Sequence, residues 1–187
     1  GEDWQDTKEP PIAWDRVLRE WRSDKSARVL LGPPGMGKST FSENTAREMA
    51  EKALKQLRGE DAAEMVSVDS LEIPLVLPIR QFRVSPPDDQ EDLARQVRKR
   101  LRAKHEELPY IHNLLDSPKT LLILDGLDET NDRQRWKEAA GKVGCRVLIT
   151  SRPYGYPVDE KDQRQVFRFF RMERDQALEF ARTWMNK

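Results

Sequence analysis

Gly32-Pro33-Pro34-Gly35-Met36-Gly37-Lys38-Ser39-Thr40 is the stretch on which the reading of this chain turns. It matches G-x-x-x-x-G-K-[ST], the Walker A spelling of a phosphate-binding loop. At average composition a chain of 187 residues meets that pattern by chance about once in 150 cases. The flanks fit. The apolar run 27–31 stops at Gly32, as a short buried strand does, and a helix is expected from Lys38 to about Arg58, with Gly59 as its stop. Ala46, Met49, Ala50, Ala53, Leu54 and Leu57 form its expected inner face. In such a loop the glycines let successive N–H groups turn toward a phosphate, and the helix that follows adds its positive end. Lys38 then reaches the β- and γ-phosphates, the Ser39 hydroxyl ligates Mg²⁺, and Thr40 donates to the α-phosphate.

Outward from this loop, hydrophobic runs alternate with helical periodicity. Residues 1–11 read as a linker or an appended tail, and Trp14, Val17, Leu18 and Trp21 mark one face of a short helix. Ile73 to Ile79 reads as a strand, and Pro74 and Pro78 make it an edge strand or an interrupted one. A helix is expected over about Asp89 to Lys104. Thr120 to Asp125 (TLLILD) is a continuous apolar run closed by a carboxylate, as in a central parallel strand buried on both faces. A helix over Asp132 to Ala140, a buried strand from Arg146 to Thr150, a strand near Val166 to Phe169 and a helix with Ala177, Phe180, Ala181 and Trp184 on one face complete the chain. Strands alternating with helices predict an α/β domain with a mainly parallel sheet.

Two further stretches carry chemistry. Asp125 ends its hydrophobic strand where a Walker B carboxylate holds magnesium, usually through a water, and Asp128 and Glu129 follow three and four residues on. Either carboxylate is a candidate to orient or deprotonate an attacking water; the plainer alternative for each is capping of a helix N-terminus. In Val147-Leu148-Ile149-Thr150-Ser151-Arg152-Pro153, Arg152 leaves a buried strand where it can sense a terminal phosphate through charge-assisted hydrogen bonds; the alternative is a surface arginine opening a loop.

Composition bounds the rest. With 33 basic and 33 acidic residues the net charge is zero, which removes any global attraction to nucleic acid or membrane. No apolar run approaches the roughly 18 residues that span a bilayer, and no signal peptide opens the sequence. One cysteine, Cys145, cannot form an internal disulfide or a Cys-rich zinc site, and the expected compartment is the cytoplasm. Arg95, Arg98, Lys99, Arg100, Arg102 and Lys104 give one helix a basic face opposite Leu93, Val97 and Leu101. This reads as a solvated face, or as a contact to an acidic neighbour. Without interleaved aromatics to stack bases, nucleic acid is the poorer partner. His105 and His112 read as ordinary surface or core residues, and Cys145 as a core residue.

Taken together, GPPGMGKST at 32–40, LLILDGLDE at 121–129 and VLITSRP at 147–153 resemble the NACHT family of P-loop NTPases, in the STAND class of signal-transduction ATPases. IPLVLPIR at 73–80 is similar to the family's second strand. The most specific piece is Asp125-Gly126-Leu127-Asp128-Glu129: many relatives in the broader ASCE division carry a glutamate where this chain has Gly126. The resemblance implies a five-stranded parallel sheet of order 5-1-4-3-2 between helices, with nucleotide at the carboxyl ends of the strands. It further implies that residues 12–187 form the nucleotide-binding core alone, without the helical, winged-helix and sensor domains that follow it in the family. The stretch Pro10, Pro11, Ile12 and Trp14 lies where the family tends to pack adenine.

The function this implies is a signalling switch in immunity or defence. ADP holds a closed form, and ATP with Mg²⁺ favours a self-associating one, with slow hydrolysis between them. No Asn-Lys-x-Asp is present, which favours ATP over GTP. A small-molecule P-loop kinase, with 152–165 as a lid, a AAA-type remodelling ATPase and a non-hydrolysing scaffold are the alternatives.

Overall fold

A computed structural model describes residues 27–59, 71–81, 90–156 and 165–168. Five parallel strands form one sheet: β1 (Arg28–Leu31), β2 (Ile73–Pro78), β3 (Thr120–Asp125), β4 (Arg146–Ser151) and β5 (Gln165–Arg168). Their order is β2-β3-β4-β1-β5, the expected 5-1-4-3-2 seen from the other edge. Four α-helices are described: α1 (Lys38–Leu57), α2 (Gln90–Leu101), α3 (Leu108–Asp116) and α4 (Arg133–Gly141).

The pleat sends alternate residues of each strand to opposite faces. On one face Leu122 and Leu124 of β3 join Val147 and Ile149 of β4 and Val29 and Leu31 of β1. Helices α2, α3 and α4 cover them with Leu93, Val97, Ile111, Leu115 and Trp136. On the other face Leu121, Ile123, Leu148 and Leu30 lie under Phe41, Ala46 and Met49 of α1. The central four residues of strand β3, Leu121 to Leu124, are therefore all apolar because helices cover both its faces. Among the described residues strand β2 pairs only with β3, in the register Ile73↔Thr120 to Pro78↔Asp125. Its edge position tolerates Pro74 and Pro78, which lack the N–H a central ladder needs.

Three expectations are corrected. Helix α2 ends at Leu101 rather than Lys104, and Leu101 is half exposed. Helix α3 has no counterpart in the sequence reading: it is nine residues long, with Pro109 in its first turn, and buries only Ile111 and Leu115. That is too short a run for helical periodicity to stand out, although proline is favoured where it sits. In α1, Leu54 and Leu57 are 49% and 53% exposed, and the buried positions are Ser42 and Thr45 near its start. A helix of 20 residues runs about 30 Å, while a six-residue strand covers about 20 Å, so the last turns of α1 pass beyond the sheet. The expected helices at 14–21 and 177–184 and the stretch at 10–14 lie outside the described residues.

Candidate nucleotide site

A parallel sheet brings all its carboxyl ends to one edge, so β1, β3 and β4 deliver their terminal residues side by side. The loop 32–37 leaves β1 and enters α1, and Gly32 N–H donates to the Ser151 carbonyl (3.2 Å), tying the loop to the end of β4. Gly35 and Gly37 take φ of 76° and 80°, a left-handed region that side chains rarely enter, so the loop's curl depends on their being glycine. Helix α1 starts with no side-chain cap and no acidic residue in its first turn, leaving its N–H groups and positive end available to an anion.

The Lys38 ammonium donates to the carbonyls of Gly32 (2.6 Å) and Pro33 (3.0 Å), closing the loop on itself. Burial lowers its pKa from 10.5. The charges that act on it next are Asp128, which raises it, Arg152, which lowers it, and Asp125 and Glu129, which raise it. Charged candidates from two other stretches of sequence thus act on the Lys38 ammonium.

At the end of β3, the Asp125 carboxylate accepts a hydrogen bond at Oδ1 from the Thr150 hydroxyl (2.6 Å). That hydroxyl in turn accepts from Gly126 N–H (2.9 Å). Beyond it, Leu127–Glu129 forms a single 3-10 turn, anchored by the fully buried Leu127 and closed by Glu129 N–H to the Gly126 carbonyl (2.9 Å).

The turn separates the two acidic candidates. Asp128 points inward, its side chain 5% exposed, and both its oxygens are engaged by Arg152: Oδ1 by the backbone N–H (2.9 Å) and Oδ2 by Nε (3.0 Å). Glu129 is exposed, and its carboxylate takes no hydrogen bond or ion pair among the described residues. Arg152 also donates from Nη1 to the Tyr154 hydroxyl (2.9 Å). Gly155 seals the turn from below: a Cβ there would stand 2.2 Å from the Asp128 Cβ and 2.8 Å from Ser151 Oγ.

Magnesium fits the donor set in one sense. Among the described residues no group of three or more His, Cys, Asp or Glu side chains could cage a metal. Ser39 and Asp125 are a hydroxyl and a single carboxylate, the few hard oxygen ligands a cation keeps when phosphates and waters supply the rest.

The sequence candidates 32–40, Asp125, Asp128, Glu129 and Arg152 all lie at this edge. Two residues were missed: Thr150, which clamps Asp125, and Gly155, which admits Asp128. A polar residue late in the buried run VLIT was the available signal for the first. Away from the edge, His112 Nε2 meets a Glu91 carboxylate oxygen (2.8 Å), His105 is exposed, and Cys145 is fully buried with its thiol pushed up to about 12 by burial. On α2, Leu93 and Val97 are buried, and Arg95 pairs with Glu91 (3.2 Å) and Asp92 (3.1 Å) on the solvent side. No helix among the described residues is long and apolar enough to cross a membrane.

A family model of the NACHT domain matches residues 26–187. No curated protein matches the chain.

Proposed function

Because the chain belongs to the NACHT family, and so carries a nucleotide-binding NTPase core, we propose that it binds ATP with Mg²⁺ at the carboxyl edge of the sheet and hydrolyses it slowly. The observation that carries this reading is that the loop after β1, the Asp125 carboxylate after β3 and the Asp128–Arg152 pair meet at one edge of the sheet. Lys38 exchanges the Gly32 and Pro33 carbonyls for β- and γ-phosphate oxygens, while loop N–H groups and the start of α1 hold the remaining charge. Ser39 and Asp125 would hold a magnesium ion, which would supply charge neutralisation at the phosphate oxygens.

The two acidic residues after Asp125 divide the remaining work. Glu129, exposed and uncommitted, orients and deprotonates the attacking water. Asp128 keeps Arg152 in place through Nε, leaving Nη2, which takes no hydrogen bond among the described residues, for the γ-phosphate. Loss of that phosphate on hydrolysis removes an anion from Arg152 and favours a closed ADP form. The ATP form exposes surfaces for self-association, and signalling is the output.

Calorimetric titration with ADP, ATP, GDP and GTP, each with Mg²⁺, tests the site. Adenine nucleotides should bind most tightly, and Lys38→Ala should weaken them about 100-fold, the loss expected for two charge-assisted contacts. Unchanged affinity in K38A would remove the site from this edge. Size-exclusion chromatography in ATP and in ADP tests the switch: the larger species should form only with ATP.

A further inference from the structure

Resting on the reading of Asp125 as the magnesium carboxylate, the geometry points to Thr150 as the residue that positions it. Thr150 is fully buried near the carboxyl end of β4, beside the end of β3. A hydroxyl has one proton to give and lone pairs to receive with. Gly126 N–H can only donate, so the Thr150 oxygen accepts from it (2.9 Å). The hydroxyl proton is thereby aimed at Asp125 Oδ1, at 2.6 Å, a short charge-assisted bond. The β-branched side chain has few rotamers to choose from in a packed strand, so the hydroxyl is held by packing as well as by its two partners.

Asp125 is thus fixed from outside its own strand. Its Oδ1 is committed to Thr150, and its Oδ2, which takes no hydrogen bond among the described residues, is the oxygen left for a metal or a metal-bound water. The same hydroxyl secures Gly126 N–H, the first peptide after the strand, and so sets where the 3-10 turn bearing Asp128 and Glu129 begins. Carboxylates that ligate metals depend on such partners, whose removal costs about 10- to 100-fold in metal affinity. Thr150 acts through Asp125 and is a positioning residue. Its signature is a change in the magnesium dependence of nucleotide binding, separate from binding itself.

The test titrates the whole 187-residue chain with ATP in Mg²⁺ and in EDTA, for the wild type, Thr150→Val and Thr150→Ser. Valine keeps the shape without the hydroxyl; serine keeps the hydroxyl. The gain in ATP affinity on adding Mg²⁺ should fall at least about tenfold in T150V, while affinity in EDTA stays within about twofold and T150S keeps the wild-type gain. If T150V does not fold by circular dichroism, T150A takes its place and should show the same loss against T150S. A T150V or T150A chain with the full wild-type gain would overturn the role of Thr150 alone. A wild-type chain that ignores Mg²⁺, or binds no nucleotide, would overturn the magnesium reading and this inference with it.

Discussion

Strand β4 carries an arginine at each end, and the two are treated differently. At the amino end Arg146 is almost wholly buried, its side chain 3% exposed, with Nη2 donating to Glu72 (3.2 Å) and the Lys119 carbonyl (3.1 Å). Just past the carboxyl end Arg152 meets Asp128 at a similar distance, 3.0 Å, yet its side chain is 37% exposed and it stands within the field of Lys38. Both are ion pairs between strand ends: the first joins β4 to the residue before β2, two places away in the sheet, and the second joins β4 to the turn after its neighbour β3. In the first the guanidinium is buried and its carboxylate partner keeps partial contact with water. The second has its carboxylate buried and its guanidinium at the surface, so the arginine can take a second anion without leaving the first. What separates a structural pair from a responsive one here is which partner faces solvent.

The largest effect is expected at the amino end. Arg146→Ala should cost about 3 kcal/mol in urea denaturation, the low end for a broken buried pair, because Glu72 keeps some contact with water. ATP affinity should change less than about twofold, since the nucleotide edge is at the strand's other end. A stable R146A chain would break the contrast from the structural side.

At the open end the order of effects reverses. Arg152→Ala should cost about 2 kcal/mol, because Asp128 keeps the backbone N–H of residue 152 but loses its Nε partner. Its preference for ATP over ADP should drop about tenfold, as expected on losing one charged contact to the γ-phosphate. Calorimetry with the two nucleotides reads this directly, and an unchanged ratio would leave Arg152 as structural as Arg146.

The smallest effect sharpens the amino end further. Cys145, next to Arg146, has its thiol raised from 9.0 to about 12 by burial. Between those values the unfolded thiol has lost its proton and the folded one keeps it. Folding therefore takes up a proton there, and stability falls as pH rises through the window. About 1 kcal/mol should be gone by pH 10, and Cys145→Ala should flatten that part of the profile. Lys38, at the other edge, works in the opposite sense. Its folded pKa lies below 10.5, so between the two values the unfolded chain holds more protons and stability rises with pH.

How much was legible beforehand follows from the range of the interactions involved. Strand β3 announces itself because Leu121 to Leu124 form an unbroken apolar run closed by Asp125, a pattern that burial on both faces requires. The prolines of β2 mark an edge or interrupted strand because a missing N–H is a local property, and the strand order makes it the edge. Helix α3 was silent because nine residues with two buried positions leave no periodic trace. The exposure of Leu54 and Leu57 depends on where the sheet ends, which their own neighbourhood does not encode.

At the nucleotide edge the division is sharper. The positions of residues 32–40 between a strand and a helix, and of Asp125 at a strand end, were legible from sequence, because both are contiguous patterns that depend on local spacing. The parallel order of the strands could be read the same way, from alternating runs and the resemblance they carry. Asp128 and Glu129, adjacent and chemically alike, could not be told apart; only a 3-10 turn that buries one and exposes the other separates them. Nor could Thr150 be joined to Asp125 across 25 residues of chain, or Arg152 to Asp128 across 24. Those pairings exist because β3 and β4 lie side by side in one register, and a hydrogen bond of under 3 Å is decided by that register, to which no local pattern of residue types is sensitive.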